Sequence, residues 1–165
     1  MNGSRDFLDT NVLVYAFDRS DPVRQAMASQ VLRNAMDARS GVVCVQVLKE
    51  FFQVVTRKIP DPLVLTEARA LVRDLATALR VNEDTLDILR RATGLCEVER
   101  ISIWDAFIVA SAAAAGCGRI WTEDLGHDRV LLGVRIVNPF VEAPEGVHER
   151  TAGGGGAADD DWPAT

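Results

Sequence analysis

The sequence predicts an α/β fold, a three-layer α/β/α sandwich around a central, mostly parallel sheet. Three observations carry this prediction. The run Val42-Val43-Cys44-Val45 is apolar without alternation, as expected of a strand buried on both faces of a parallel sheet. Between such runs lie segments with apolar residues at helical spacing, so strands and helices alternate as in βαβ units. Polar and acidic residues stand where strands end, the edge at which ligands bind in open α/β sheets.

Taken in order, Phe7-Leu8 reads as a short buried strand that runs into Asp9-Thr10-Asn11 and then a helix through Val12 to Ala16, with Thr10 or Asn11 as its cap. Ser20-Asp21-Pro22 opens a second helix, Pro22 to Ala38, whose stripe includes Val23, Met27, Val31 and Leu32. Ser40-Gly41 ends it, the strand at Val42 follows, and Gln46 to about Lys58 reads as a largely buried helix stopped before Pro60. Asp61-Pro62 is expected to start another helix, Ala78 to Val81 to form a connector or strand, and Asn82 to cap the next helix. Ile101 to Gly116 is a nearly all-apolar helix ended by glycine, as a core helix would be. Arg119 to Asp124, with Thr122, Glu123 and Asp124 at its carboxyl end, and Val134 to Val137 are expected as the last strands.

At 165 residues, 48% hydrophobic and 25% charged, the chain has the size and composition of one globular domain that can bury its own core. No apolar run reaches the length of a membrane span, and the polar start Met1-Asn2-Gly3-Ser4-Arg5-Asp6 is unlike a secretory leader, so a cytoplasmic setting is expected. Cys44, Cys96 and Cys117 are odd in number and sit among apolar neighbours, which suits buried thiols in a reducing compartment. With only His127 and His148, a histidine-rich metal site is excluded. The net charge is −6, but residues 144–165 contribute five acids against one arginine, or −4, leaving −2 on the body. All basic residues but Lys49 and Lys58 are arginine, which suits phosphate contacts and equally a GC-rich genome.

Four acids carry the chemistry. Asp9 closes the first strand, Glu50 lies on the helix after the second, Asp105 opens the core helix, and Asp124 follows Trp121. Each has a plain structural reading too: Asp9 and Asp105 as helix caps, Glu50 in a salt bridge. In a parallel sheet, however, these ends meet at one edge, where four carboxylates repel unless a divalent cation neutralises them. Oxygen-only ligands favour Mg²⁺ or Mn²⁺, and such ions activate water for attack on a phosphodiester.

The stretches FLDTNVLVYA (7–16), QVLKEFF (46–52) and SIWDAFIVASA (102–112), followed by IWTEDL (120–125) and RIVNPF (135–140), resemble the PIN domain, and more narrowly the VapC-type toxins of bacterial toxin–antitoxin pairs. The resemblance runs from about Asp6 to Phe140. It implies a PIN domain over 1–142 and a Mg²⁺-dependent ribonuclease, with Mn²⁺ substituting. It also implies that Asp9, Glu50, Asp105 and Asp124 are the metal ligands, with Asn11 and Thr122 supporting them. Where many members place a small hydroxyl residue before the second acid, this chain has Gln46. Glu123 and Asp128 are read as peripheral. The implied partners are an RNA, such as a tRNA or rRNA loop, a VapB-like antitoxin and a second copy of the chain. An apolar groove between Pro22–Ala38 and Pro62–Ala76 is the expected seat of an antitoxin helix.

Two other folds with clustered acids fit less well. A receiver domain needs a lysine after a late strand, and none follows Lys58; a haloacid-dehalogenase phosphatase needs a second aspartate where Asn11 stands. The remaining alternative is a catalytically inactive PIN-fold scaffold that binds RNA or protein. Residues 143–165, with four consecutive glycines and Asp159-Asp160-Asp161, lack apolar periodicity and are expected to be a disordered Gly/Asp-rich tail.

Overall fold

A computed structural model describes residues 5–141. The expected tail, 143–165, lies outside the described residues, as do the first four. The chain forms β1 (Arg5–Leu8), α1 (Thr10–Phe17), α2 (Pro22–Asp37), β2 (Gly41–Cys44), α3 (Val45–Arg57), α4 (Leu65–Ala78), β3 (Arg80–Asn82), α5 (Leu86–Glu99), α6 (Ile103–Ala114), β4 (Cys117–Trp121), β5 (Val130–Leu131) and β6 (Val134–Val137).

The strands make one sheet in the order β3-β2-β1-β4-β6-β5. Every neighbouring pair is parallel except β5 with β6. From β1 the chain moves outward one way through β2 and β3, then returns to the other side of β1 as β4. The order therefore reverses between β1 and β4, and a crevice opens beyond their carboxyl ends. Asp9 and Thr122 stand at those two ends, and the Asp9 N–H donates to the Trp121 carbonyl at 3.1 Å.

Helices cover both faces. α6, backed by α5, lies across β2, β4 and β6. α2 flanks the face that carries Asp6, Arg119 and Trp121. Phe7, Leu8, Val43, Phe51, Val109, Ile120 and Ile136 are fully buried; each large apolar side chain so removed from water stabilises the fold by about 1.5–3 kcal/mol. The start of β2 runs so close to its neighbours that a Cβ on Gly41 would stand 2.6 Å from Leu79 Cδ2 and 3.2 Å from Ala35 Cβ. Gly116, φ +70°, takes the left-handed turn that ends α6 and launches β4.

Several local expectations need correction. Asp9, not Thr10 or Asn11, is the cap of α1. α4 starts at Leu65 instead of Pro62, because the Leu63 N–H is drawn to the Val55 carbonyl at 2.8 Å and Val64 stays extended. Thr85 caps α5. Asn82 ends β3 instead, and its amide donates to Ser111 Oγ of α6 at 2.9 Å. β5, of two residues, is too short to carry a readable pattern. α2 rests on α1 and α4 on α3, while α1 and α3 rest on each other, so the expected groove between α2 and α4 would run across two intervening helices.

Candidate active site

The crevice between β1 and β4 continues into a cleft of about 530 Å³ walled by α3 and α6. Asp9, Glu50, Asp105 and Asp124 all line it, as does Asn11. Each is delivered by a local device. β1 stops at Leu8 because Asp9 turns to cap α1, accepting the Thr10 N–H on Oδ1 at 2.6 Å. Glu50 sits one turn along α3 from Gln46, whose amide donates to Glu50 Oε1 at 2.9 Å. Ser102 caps α6 by accepting the Asp105 N–H at 3.1 Å, and its hydroxyl donates back to Asp105 Oδ2 at 2.8 Å. Asp105 is thus both a first-turn acid, favoured by the helix dipole, and a wall of the cleft.

Thr122 is the hub behind the acids. It is fully buried; its hydroxyl donates to Asp9 Oδ2 at 2.7 Å and accepts from the Asp124 N–H and the Asn11 amide, each at 3.1 Å. Asn11 also donates to Asp124 Oδ2 at 3.0 Å. Asp9, Asn11, Thr122 and Asp124 are one hydrogen-bonded unit spanning the two strand ends. Glu50 joins it through the Thr10 hydroxyl, which donates to Oε2 at 3.1 Å.

Every one of these donors is neutral. Among the described residues no arginine or histidine lines the cleft, and Glu50 forms no salt bridge. Burial accordingly pushes the Asp9 carboxyl up to about 7; bonds from Thr122 and Thr10 oppose the rise, while the charges of Asp124 and Glu50 add to it. The α1 dipole favours the ionised form by at most about 2 kcal/mol, too little to outweigh a buried carboxylate without a cation. Burial also raises Glu50, with Asp105 adding to it, and raises Asp124, again with Asp105 adding to it.

The donor set fits a hard divalent cation: four carboxylates, no sulfur, no imidazole, and an excess of negative charge that such an ion would relieve. The tight chelating cluster expected from the sequence is not present as such. Among the described residues no three His, Cys, Asp or Glu side chains stand close enough to grip one ion; the four acids share a cleft, and several are turned toward their hydrogen-bond partners.

Reading the sequence missed Thr10 as a partner of Glu50, and it missed Lys49, Gln53, Lys58 and Trp104, which also line the cleft. Glu123 is not among the residues that line the cleft; its carboxylate takes the Tyr15 hydroxyl at 3.1 Å and Arg24 at 3.1 Å. Asp128 pairs with Arg135 on the surface.

The fold is shared with solved toxin structures. VapC20 of Mycobacterium tuberculosis, a sarcin-ricin-loop-cleaving toxin, aligns with a TM-score of 0.56 at 20% identity over 72% of this chain and 89% of its own. A toxin–antitoxin complex from Klebsiella pneumoniae aligns at 0.60 and 19%, over 82% and 98%. VapBC2 from Rickettsia felis, bound to a DNA fragment from its promoter, aligns at 0.58 and 16%, over 79% and 96%. No curated protein sequence matches the chain. The PIN domain profile matches residues 7–131, most of the chain, and with the acid-lined crevice between β1 and β4 this identifies the chain as a member of the PIN domain family.

Proposed function

We propose that the chain is a Mg²⁺-dependent endoribonuclease, with Mn²⁺ substituting, and the toxin of a VapBC-like type II toxin–antitoxin system. One observation carries the reading: four carboxylates from the ends of β1 and β4 and from α3 and α6 open into one cleft, and none of them forms a salt bridge among the described residues, although Lys49 and Lys58 stand on the wall. Uncompensated buried charge is costly, and sites that keep it do so for a ligand.

Asp9, Glu50, Asp105 and Asp124 would hold the ion, in part through waters that it keeps. When bound, the ion would acidify a water and steady the phosphodiester for in-line attack. The protein's own part is positioning. Thr122 and the Thr10 N–H hold the Asp9 carboxylate by both oxygens. Asn11 ties Asp124 to the same unit, and Gln46 with Thr10 holds Glu50.

The toxin reading is supported by the fold shared with toxin–antitoxin complexes. A VapB-like antitoxin is then the partner, a tRNA or rRNA loop the substrate, a homodimer the working unit and the cytoplasm the setting. No helix of the described residues is long and apolar enough to cross a membrane. The test is cleavage of a mixed RNA pool by the purified chain in Mg²⁺, Mn²⁺ and EDTA, beside Asp9→Asn. Metal-dependent cutting lost in Asp9→Asn is expected. Undiminished cutting in EDTA overturns the metal role; RNA bound but never cut in either metal favours the inactive scaffold.

A further inference from the structure

The only two lysines of the chain, Lys49 and Lys58, both line the acid cleft. Lys49 lies on α3 and Lys58 is the cap at its end, with Gln53 between them; nine residues correspond to about 13 Å of axial rise. Neither forms an ion pair among the described residues. Opposite them, on the first turn of α6, Trp104 is 43% exposed. Its ring carries no aromatic or guanidinium neighbour among the described residues, whereas Trp121 is covered by Arg119. Trp104 therefore offers an open indole face to the cleft.

The choice of lysine is itself informative in a chain whose other basic residues are all arginine. A guanidinium here would fork onto Glu50 or Asp105 and lock the acids into ion pairs. An ammonium is a hydrated point charge that leaves the carboxylates available while still attracting phosphate. Lys49 already acts on Glu50 through its charge.

We infer that the cleft walls are a strand-positioning device: Lys49 and Lys58 hold backbone phosphates flanking the reacting one, and Trp104 stacks an unpaired base. This rests on the ribonuclease reading above and assigns residues to the substrate side of that site. Stacking requires a base free of its complement, so the walls select unpaired RNA over duplex. All three residues are exposed, so their replacement leaves the core untouched.

The test uses the Asp9→Asn chain in Mg²⁺, so that RNA is bound and not consumed. Single-stranded RNA oligonucleotides carrying 2-aminopurine at successive positions report stacking, and anisotropy reports affinity. Quenching at one position, lost in Trp104→Ala and kept in Trp104→Phe, is expected, with affinity falling about tenfold in the alanine variant. Lys49→Gln with Lys58→Gln should weaken binding and lower the logarithmic salt slope by about 1.4, two single-strand phosphate contacts. Unchanged affinity, slope and quenching in these variants overturn the inference while leaving the role of Asp9 intact. Absence of RNA binding by Asp9→Asn also overturns it. So does loss of self-association or antitoxin binding in Trp104→Ala with RNA affinity unchanged, which would make Trp104 part of a protein interface. Wall-dependent binding by a parent chain that cuts nothing sustains the inference and removes the ribonuclease reading.

Discussion

Asp6 and Asp9 are three residues apart and equally buried, each 7% exposed, yet they are treated oppositely. Asp6 sits within β1, where parallel register sets it beside Arg119 of β4. The guanidinium grips both of its oxygens, and the Ser40 hydroxyl lies at 3.4 Å. Asp9, just beyond the strand, meets only a threonine hydroxyl, an amide and a backbone N–H. One aspartate is neutralised by the fold and holds β1 to β4; the other is left charged into a cleft, or protonated. The contrast teaches that burial alone does not mark a functional acid. What stands opposite the acid across the sheet decides whether its buried charge is compensated.

The comparison breaks most sharply on activity. Asp9→Asn should lower RNA cleavage on the order of 10³-fold, the scale of losing a charge-organising group at a reacting centre, whereas Asp6→Asn should cut at close to the parent rate. Equal loss in both, in folded protein, would make the two acids alike and remove Asp9 from the site.

Stability should invert the ranking. An acid raised from 3.8 to about 7 on folding binds its proton more tightly in the native state. Its contribution is therefore fully present below about pH 4 and is lost as pH rises through 7. Glu50 and Asp124 shift in the same direction. In EDTA the parent should lose stability between about pH 4 and 7 and level off above, and Asp9→Asn should flatten that fall, gaining on the order of a few kcal/mol at pH 8. Urea midpoints across pH measure this; a parent curve that rises with pH would contradict it.

Metal should reverse the penalty. Because binding must displace the proton, Mg²⁺ and Mn²⁺ affinity should strengthen up to about tenfold per pH unit and level off above about 7. Mn²⁺ should act at lower concentration than Mg²⁺. Ca²⁺, less strict in geometry, should raise the melting temperature without supporting turnover. Calorimetric titration at several pH values checks the slope, and pH-independent affinity would refute the protonated site.

The smallest effect belongs to the compensated pair. Arg119→Gln should destabilise by about 1–2 kcal/mol, the lower range for a charge-assisted hydrogen bond, since its side chain is half exposed. Cleavage should be unchanged. A loss above ten-fold in activity would show that the β1–β4 pairing is tuned through Asp6.

Much of this was legible in the residues. Local patterns reported helices and strands well where they were long: α2 is predicted as Pro22–Ala38 and found as Pro22–Asp37. They failed at α4, where a backbone bond from Leu63 to Val55 overrode the Asp61-Pro62 start signal, and at the two-residue β5. The acids at strand ends were readable because Asp9 and Asp124 directly follow apolar runs, and Asp105 opens one. The Lys49–Lys58 wall was not, since solvated lysines on a helix carry no periodic signal.

By itself the sequence determined the alternation of strand and helix, the apolar core and the four acids at one edge, because backbone preference and hydrophobic periodicity act within a few residues. Tertiary structure alone decided which acids are paid off by a cation. Asp6 meets Arg119 and Asp9 meets Thr122, each across 113 residues. Glu123 turns to Arg24 while its neighbour Asp124 turns to Asn11. A charge responds to what surrounds it in space, and the sheet register brings those surroundings from parts of the chain that no local pattern connects.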